Sequence, residues 1–246
     1  MRYLTIMALL PLAACSMSFD DHDADGKGVA STGSGTARSY AVADFTGVDL
    51  RGSDDVDVRV GAAFSVRAEG SAKDLDRLVI EKVGDTLRVG RKHGSFNWGW
   101  QHGDEVKIFV TMPSIASASI SGSGNLGIDK VAAAKFEAST AGSGDISIGS
   151  LAADDADFSV AGSGGIAAAA GLAKRLTISI AGSGDVDAAR LKASSADVSI
   201  AGSGNASADV TGPAQVSIIG SGDADLGAAA KCTTSKVGSG EVKCGG

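Results

Sequence analysis

Seven Gly-Ser-Gly tripeptides begin at Gly122, Gly142, Gly162, Gly182, Gly202, Gly220 and Gly238, at spacings of 20, 20, 20, 20, 18 and 18 residues. A period held that closely requires one short structural unit stacked on itself. Each unit is too short for a strand, a crossover helix and two loops, but it suits one coil of a β-helix. The spacing therefore predicts an all-β chain, a single-stranded parallel β-helix (β-solenoid) with 18–20 residues per coil. Parallel crossover statistics favour right-handed winding. With coils about 4.8 Å apart, seven rungs make a rod of roughly 30 Å.

Aligning the copies on their first glycine turns the sequence into columns. Three residues before each tripeptide stands a serine: Ser119, Ser139, Ser159, Ser179, Ser199, Ser217 and Ser235. Its neighbours are mostly apolar, as in Ile178 and Ile180 or Val198 and Ile200. Such period-two alternation describes a strand with the serine outward and its neighbours buried. A second alternating run follows the glycines, with Leu126 and Ile128, Ile146 and Ile148, and Val186 and Ala188 on one parity, so each period holds at least two short strands. Inward columns of Ala, Val and Ile, in a chain only 4% aromatic, imply a thin core. Glycines at both ends of the tripeptide suit a tight corner at positive φ.

The residue after each tripeptide reads Asn125, Asp145, Gly165, Asp185, Asn205, Asp223 and Glu241. Such a column suggests either a row of calcium ligands or turn chemistry, in which Asn and Asp bond to nearby backbone. The nonapeptide period of calcium-binding repeats is absent, and turn chemistry is the better reading. Lys174, Arg175, Arg190 and Lys192 recur at one corner and read as edge charges that discourage strand addition.

At the N-terminus, Met1 and Arg2 precede an apolar run over residues 3–14, the length of a signal segment and too short to span a membrane. It leads into Leu12-Ala13-Ala14-Cys15, which resembles the lipobox of bacterial lipoproteins. The resemblance implies cleavage before Cys15 and acylation of that cysteine, and Ser16 after it favours sorting to the outer membrane. Several acyl chains give an anchoring that one cannot. Residues 16–39, rich in Asp, Gly, Ser and Thr, read as an acidic tether. Within it Asp21-His22-Asp23-Ala24-Asp25-Gly26 mimics the start of an EF-hand loop, but position twelve is Thr32 and no helix flanks it. Cys232 and Cys244 remain, in a compartment that permits disulfides, flanking the last tripeptide where a solenoid needs a cap. A bond between them would close a loop worth roughly 2–3 kcal/mol.

From residue 40 to about 120 the pattern loosens. Strands are expected at 56–60, 64–68, 78–81, 86–90 and 106–112, with a helical turn at 73–78. The runs Phe45-Thr46-Gly47-Val48, Val56-Asp57-Val58-Arg59-Val60, Leu75-Asp76-Arg77-Leu78, Gly84-Asp85-Thr86-Leu87-Arg88-Val89 and Val110-Thr111-Met112-Pro113, followed by the repeats, resemble the bacterial head GIN domain family of auto-transporter adhesins. The resemblance spans about residue 40 to the end. It implies a β-solenoid domain, common on envelope proteins with lipoprotein signals, and it implies no catalytic residues. The chain is thus divided into a signal peptide (1–14), an anchor and tether (15–39) and a solenoid head (40–246), irregular over 40–117 and regular over 118–246.

The stretch 92–103 holds Phe96, Trp98 and Trp100, with His93 and His102. Two readings stand: capping or packing of an open solenoid end, or a ligand-contact loop. Two histidines without a carboxylate or cysteine set make poor metal ligands. The net charge of −7 argues against nucleic acid as a partner. No Ser/His/Asp set, phosphate loop or zinc motif is present, so no catalytic residue, metal site or cofactor is expected. The expected function is a lipid-anchored, non-enzymatic adhesion or binding module of the bacterial envelope. It would meet the membrane through its lipid and face carbohydrate or an envelope protein, at the cell surface or the periplasmic face of the outer membrane. A structural or envelope-assembly role is the alternative, and an enzyme acting on polysaccharide comes third.

Overall fold

The computed structural model describes residues 28–92 and 106–245. The regular part is a parallel β-solenoid whose coils have three faces. One face holds the strands that run into each tripeptide, such as Ser117–Gly122 and Pro213–Gly220; it is called here the serine face. The short strands after the tripeptide, Leu126–Ile128, Ile146–Ile148 and Ile166–Ala168, make the second face. The third face is the first part of the long strands Val131–Gly142, Leu151–Gly162 and Gly171–Gly182, whose last parts belong to the serine face. Each long strand bends at a residue that skips the pairing ladder, Ala134 and Asp154 among them.

Pairing between 20-residue coils is in strict register, from Val131 with Leu151 through Gly142 with Gly162. Where the period falls to 18, the register slips between Ala188 and Lys192, at the corner joining the second face to the third. By Ala196, which pairs with Ala214, the serine face is aligned again. The deletion is thus absorbed at a corner, where no ladder has to be broken twice.

The tripeptide corner needs its first glycine on two counts and its second on one. Only the first has positive φ, between 126° and 142° across the seven copies. The third lies directly over the coil below: a Cβ on Gly184 would stand 2.0 Å from the Gly164 carbonyl oxygen, and one on Gly204 2.0 Å from that of Gly184. The expectation that positive φ explains both ends therefore holds for the first alone, while close approach of backbones constrains both: a Cβ on Gly142 would stand 2.3 Å from the Gly122 carbonyl oxygen. One carbonyl per coil accepts two N–H groups of the next: Gly122 O takes Ser143 N at 2.9 Å and Gly144 N at 3.1 Å.

Inside, the columns expected from the sequence are buried: Ile178 and Val198 are 0% exposed and Ile200 1%. Large and small residues alternate between coils. Phe136 sits beside Ala156 in register, and Phe158 beside Ala138, so one ring fills the space its neighbour leaves. Thr140 is the polar exception, and its Oγ1 donates to Gly144 O at 2.8 Å.

The N-terminal part does not simply continue the stack in chain order. The coil made by Gly47–Gly52 and Asp55–Val60 lies second from its end. Ser117–Gly122 pairs with one side of Gly47–Gly52 and Thr86–Arg91 with the other, all parallel. Asp55–Val60 likewise lies between Lys107–Met112 and Leu126–Ile128. After Val60 the chain runs outward through Ser65–Glu69, the short helix Ala72–Leu75 and the hairpin Leu78–Val83 with Thr86–Arg91 before returning. The outer strands are antiparallel: Ser65–Glu69 to Lys107–Met112, Ala37–Tyr40 to Ser65–Glu69, and Ser31–Thr32 to Ala37–Tyr40. Phe45 and Phe64 pack with ring centroids 5.0 Å apart beneath this end.

Candidate functional site

The outward side of the serine face is the most regular surface of the molecule. Ser119 pairs with Ser139, Ser139 with Ser159, and the register runs on through Ser179, Ser199 and Ser217 to Ser235. From Ser139 onward every one of these serines is exposed. Beside them runs the column Ser121, Ala141, Ala161, Ala181 and Ala201, which ends in Ile219 and Val237, 62% and 68% exposed. Short side chains on a parallel ladder leave a flat strip about 4.8 Å per rung.

Toward the N-terminal end the serine column becomes charged. Asp49 pairs with Ser119 in register, and Ser119 Oγ donates to its carboxylate at 2.9 Å. Arg51 Nε and Arg88 Nε donate to Asp49 at 3.0 and 3.2 Å, and Arg88 also reaches Glu81 at 3.3 Å. This strand is a degenerate eighth copy. Val48-Asp49-Leu50-Arg51-Gly52-Ser53-Asp54 matches Ala118-Ser119-Ile120-Ser121-Gly122-Ser123-Gly124 with Asp replacing both the column serine and the second glycine of the tripeptide.

That second aspartate, Asp54, is fully buried and links Arg91 to Val106, on either side of residues 93–105. Arg91 donates to its two carboxylate oxygens at 2.9 and 2.5 Å, and the backbone N–H of Val106 donates at 3.1 Å. Arg91 also reaches Asp74 at 3.5 Å, whose carboxylate accepts from Ser71 Oγ at 2.5 Å. The hydrogen bond to Asp54 holds the Arg91 guanidinium still more firmly protonated than usual, against the opposing effect of burial. A buried carboxylate needs such partners to remain charged. Arg91 and Val106 bracket the segment with Phe96, Trp98 and Trp100, and those three residues lie outside the described residues, as does Cys15.

The Asn and Asp column after each tripeptide forms a ladder with the backbone. Asp145 accepts from Gly165 N at 2.7 Å, Asp185 from Asn205 N at 2.7 Å, Asn205 from Asp223 N at 3.1 Å and Asp223 from Glu241 N at 2.7 Å. The side chain of one coil thus caps the turn of the next, 18–20 residues away, rather than bonding within its own turn as expected from the sequence. Among the described residues no group of three or more His, Cys, Asp or Glu side chains could hold a metal ion.

Lys174 pairs with Asp154 at 2.7 Å and Arg175 with Asp155 at 2.5 Å, each one coil away. These two side chains are therefore not at a sheet edge as the sequence suggested. A coiled stack has edges only at its two ends, and Lys174 and Arg175 stand on interior coils, where they offset the carboxylates below. On the third face, Ala133, Ala152, Ala153, Leu172 and Ala193 line a shallow apolar groove bordered by Lys174 and Lys192. Leu172 is 63% exposed there. At the far end the sulfurs of Cys232 and Cys244 are bonded, with Cα atoms 6.2 Å apart, joining the last strand of the serine face to that of the second face.

No curated protein matches the chain. Among solved structures, a "putative adhesin" from Bacteroides fragilis superposes with a TM-score of 0.77 at 19% identity, covering 85% of this chain and 95% of that one. A protein from Parabacteroides distasonis described as a "putative lipid binding protein" gives a TM-score of 0.65 at 25% identity, with 89% and 99% coverage. A "putative adhesin" from Parabacteroides merdae gives 0.68 at 17% identity, with 85% and 95% coverage. The family described as "Putative auto-transporter adhesin, head GIN domain" matches residues 44–228, from the first strand of the inner coil to the penultimate corner. With that match, the eighth degenerate copy and the stacked coils all pointing the same way, the chain belongs to the head GIN domain family.

Proposed function

We propose that this chain is a lipid-anchored, non-enzymatic binding head of the bacterial cell envelope, and that it meets its partner with the flat outward side of the serine face. The observation that carries the reading is the in-register array of exposed serines beside a column of alanines, held rigid by the backbone ladders on either side. Membership of an adhesin-named family supports a role in contact rather than catalysis. Beside the serines runs a column holding Glu137, Asp157 and Asp197; Lys135 engages the first two, and Asp197 is exposed. Cys15 supplies the anchor; the tether is shorter than the 16–39 expected from the sequence, because Ser31–Thr32 and Ala37–Tyr40 pair as strands of the head.

The test is protease digestion of intact cells compared with cells whose outer membrane has been opened. Digestion on intact cells supports surface binding. Protection until the membrane is opened moves the head to the periplasm and favours the envelope-assembly alternative. Ser159→Arg with Ser199→Arg should abolish adhesion of expressing cells to a carbohydrate-coated surface, and unchanged adhesion would remove the serine face from the reading.

A second reading rests on the groove of the third face. Its apolar floor suits an acyl chain with Lys192 left to meet an anionic head, Lys174 being paired with Asp154 of the same groove, and the Parabacteroides distasonis relative of 25% identity is named for lipid binding. Co-sedimentation with anionic vesicles that is lost in Leu172→Asp would support it, provided the wild-type chain has been given no lipid of its own through Cys15→Ser.

A further inference from the structure

A small cavity lies where the chain enters the head, away from the serine face. Residues 28–31 run along the outer hairpin, where the Val29 N–H donates to the Ile80 carbonyl at 2.7 Å. Together with Tyr40, Leu78, Asp76 and Lys92 they enclose about 240 Å³. Pockets for drug-sized ligands run from roughly 300 to 1,000 Å³, so this one suits a group of a few heavy atoms. Tyr40 is only 6% exposed. Its hydroxyl is in no hydrogen bond among the described residues; burial and the charges of Arg38 and Asp76 are what act on it. Since no buried side-chain oxygen or nitrogen of the described residues lacks a partner, this hydroxyl must meet open space, and the cavity is the space that Tyr40 lines. A hydroxyl on so buried a side chain costs free energy until something bonds to it. Burial raises its pKa, with the Arg38 charge opposing, so it holds a proton to donate near neutral pH. Lys92 is the second open group: its Nζ donates to the Asp76 carbonyl at 3.0 Å, leaving two of its three N–H groups unspent. The Asp76 carboxylate is already paired with Arg38 at 3.3 Å, so Arg38, Asp76 and Lys92 together leave one positive charge unmatched.

We propose that this cavity binds a phosphate group, held by the Tyr40 hydroxyl and the Lys92 ammonium. Phosphate offers several strong acceptor oxygens to these donors and a negative charge to the unmatched positive one. Apolar walls from Leu75 and Leu78 lower the local dielectric and strengthen both bonds. The group has two sources, a soluble phosphate or the phosphodiester of a lipid head group. The second rests on Cys15 carrying the anchor, which would bring this end of the head to the bilayer; the site itself depends neither on the anchor nor on what the serine face binds.

Isothermal titration of the full chain in detergent, with inorganic phosphate and separately with glycerophosphoglycerol, the deacylated head group of a phosphodiester lipid, tests this. At least one of the two should saturate a single site per chain: binding of phosphate alone identifies a soluble source, and binding of the phosphodiester a head group. Tyr40→Phe and Lys92→Gln should each weaken that binding about tenfold or more, as loss of a hydrogen bond to a charged group does. Lys231→Gln, at the other end of the stack, should bind as wild type. Because the Tyr40 hydroxyl bonds nothing in the fold, Tyr40→Phe should melt at the wild-type temperature without ligand and gain less than wild type when ligand is added. The proposal is overturned if neither compound binds, if Tyr40→Phe binds as well as wild type, if Lys231→Gln loses as much as Lys92→Gln, or if Tyr40→Phe is already destabilised without ligand, which would give the hydroxyl a structural partner. Should Lys92→Gln lose its β-sheet circular dichroism, the Tyr40→Phe results decide the matter.

Discussion

At the scale of single residues, the columns make opposite demands on neighbours. Ile200 is 1% exposed in a core column while Ser199 is exposed on the serine face. Ile200→Asp buries an unpaired charge and should cost several kcal/mol or prevent folding, whereas Ser199→Asp should change stability by about 0.5 kcal/mol or less. Thermal melts of the two variants check this, and equal effects would mean the inward and outward faces are misassigned. The glycines divide just as sharply. Gly184→Ala places a methyl 2.0 Å from the Gly164 carbonyl, while the nearest atom to a Cβ on Gly127 is 4.0 Å away. The first should lose about 3 kcal/mol or more and the second less than about 1 kcal/mol, since overpacking against backbone cannot relax by side-chain rotation.

At the scale of elements, the two ends of the solenoid are secured by different chemistry. Asp54 is the hub of the first, bonded to Arg91 and to the Val106 N–H, with no exposure to water. Asp54→Asn leaves the Arg91 guanidinium without its main counter-charge, and removal of one partner from a buried pair costs about 3–5 kcal/mol. The midpoint of thermal unfolding should fall by on the order of 10 °C for a domain of this size. On the arginine side the folded state raises the proton affinity, so its contribution is fully present below the unfolded value and is not lost anywhere near neutral pH. The other end depends on the Cys232–Cys244 bond, which ties only the last coil. Because each coil contacts only its neighbours, reduction should expose amides of residues 231–243 to hydrogen exchange while leaving those of 131–162 protected. Loss of protection through the whole stack would instead show that the bond supports global folding.

At the scale of the molecule, strict register between coils means that the repeat is interchangeable. Deleting residues 143–162 removes one full period and rejoins Gly142 to Ser163, and the remaining columns still match, with Phe136 meeting Leu176 and Ala138 meeting Ile178. The shortened chain should keep its β-sheet circular dichroism and melt cooperatively within about 10 °C of wild type, as expected when stability is a sum over similar neighbours. Deletion of residues 143–152, half a period, would set the Gly162–Gly164 corner against the strand Val131–Gly142 instead of against another corner and should leave no cooperative melt. At the N-terminal end such interchange is excluded, because the inner coil is paired on both sides by segments that follow it in the chain.

The architecture of the regular coils was written in the sequence itself. A tripeptide at a fixed period, a serine column and alternating apolar neighbours specify which residues turn, which face water and which are buried, because every coil obeys the same local rules as its neighbour. The short strands and helical turn between residues 56 and 112 were legible for the same reason, from local alternation. Tertiary structure alone decided how the irregular part joins the stack. The placing of residues 47–60 between 86–112 and 117–128 depends on pairings across 70 positions, such as Val48 with Ala118, for which no local pattern carries a signal. The same holds for Asp54, whose identity reads as a failed glycine until Arg91 and Val106 are brought around it.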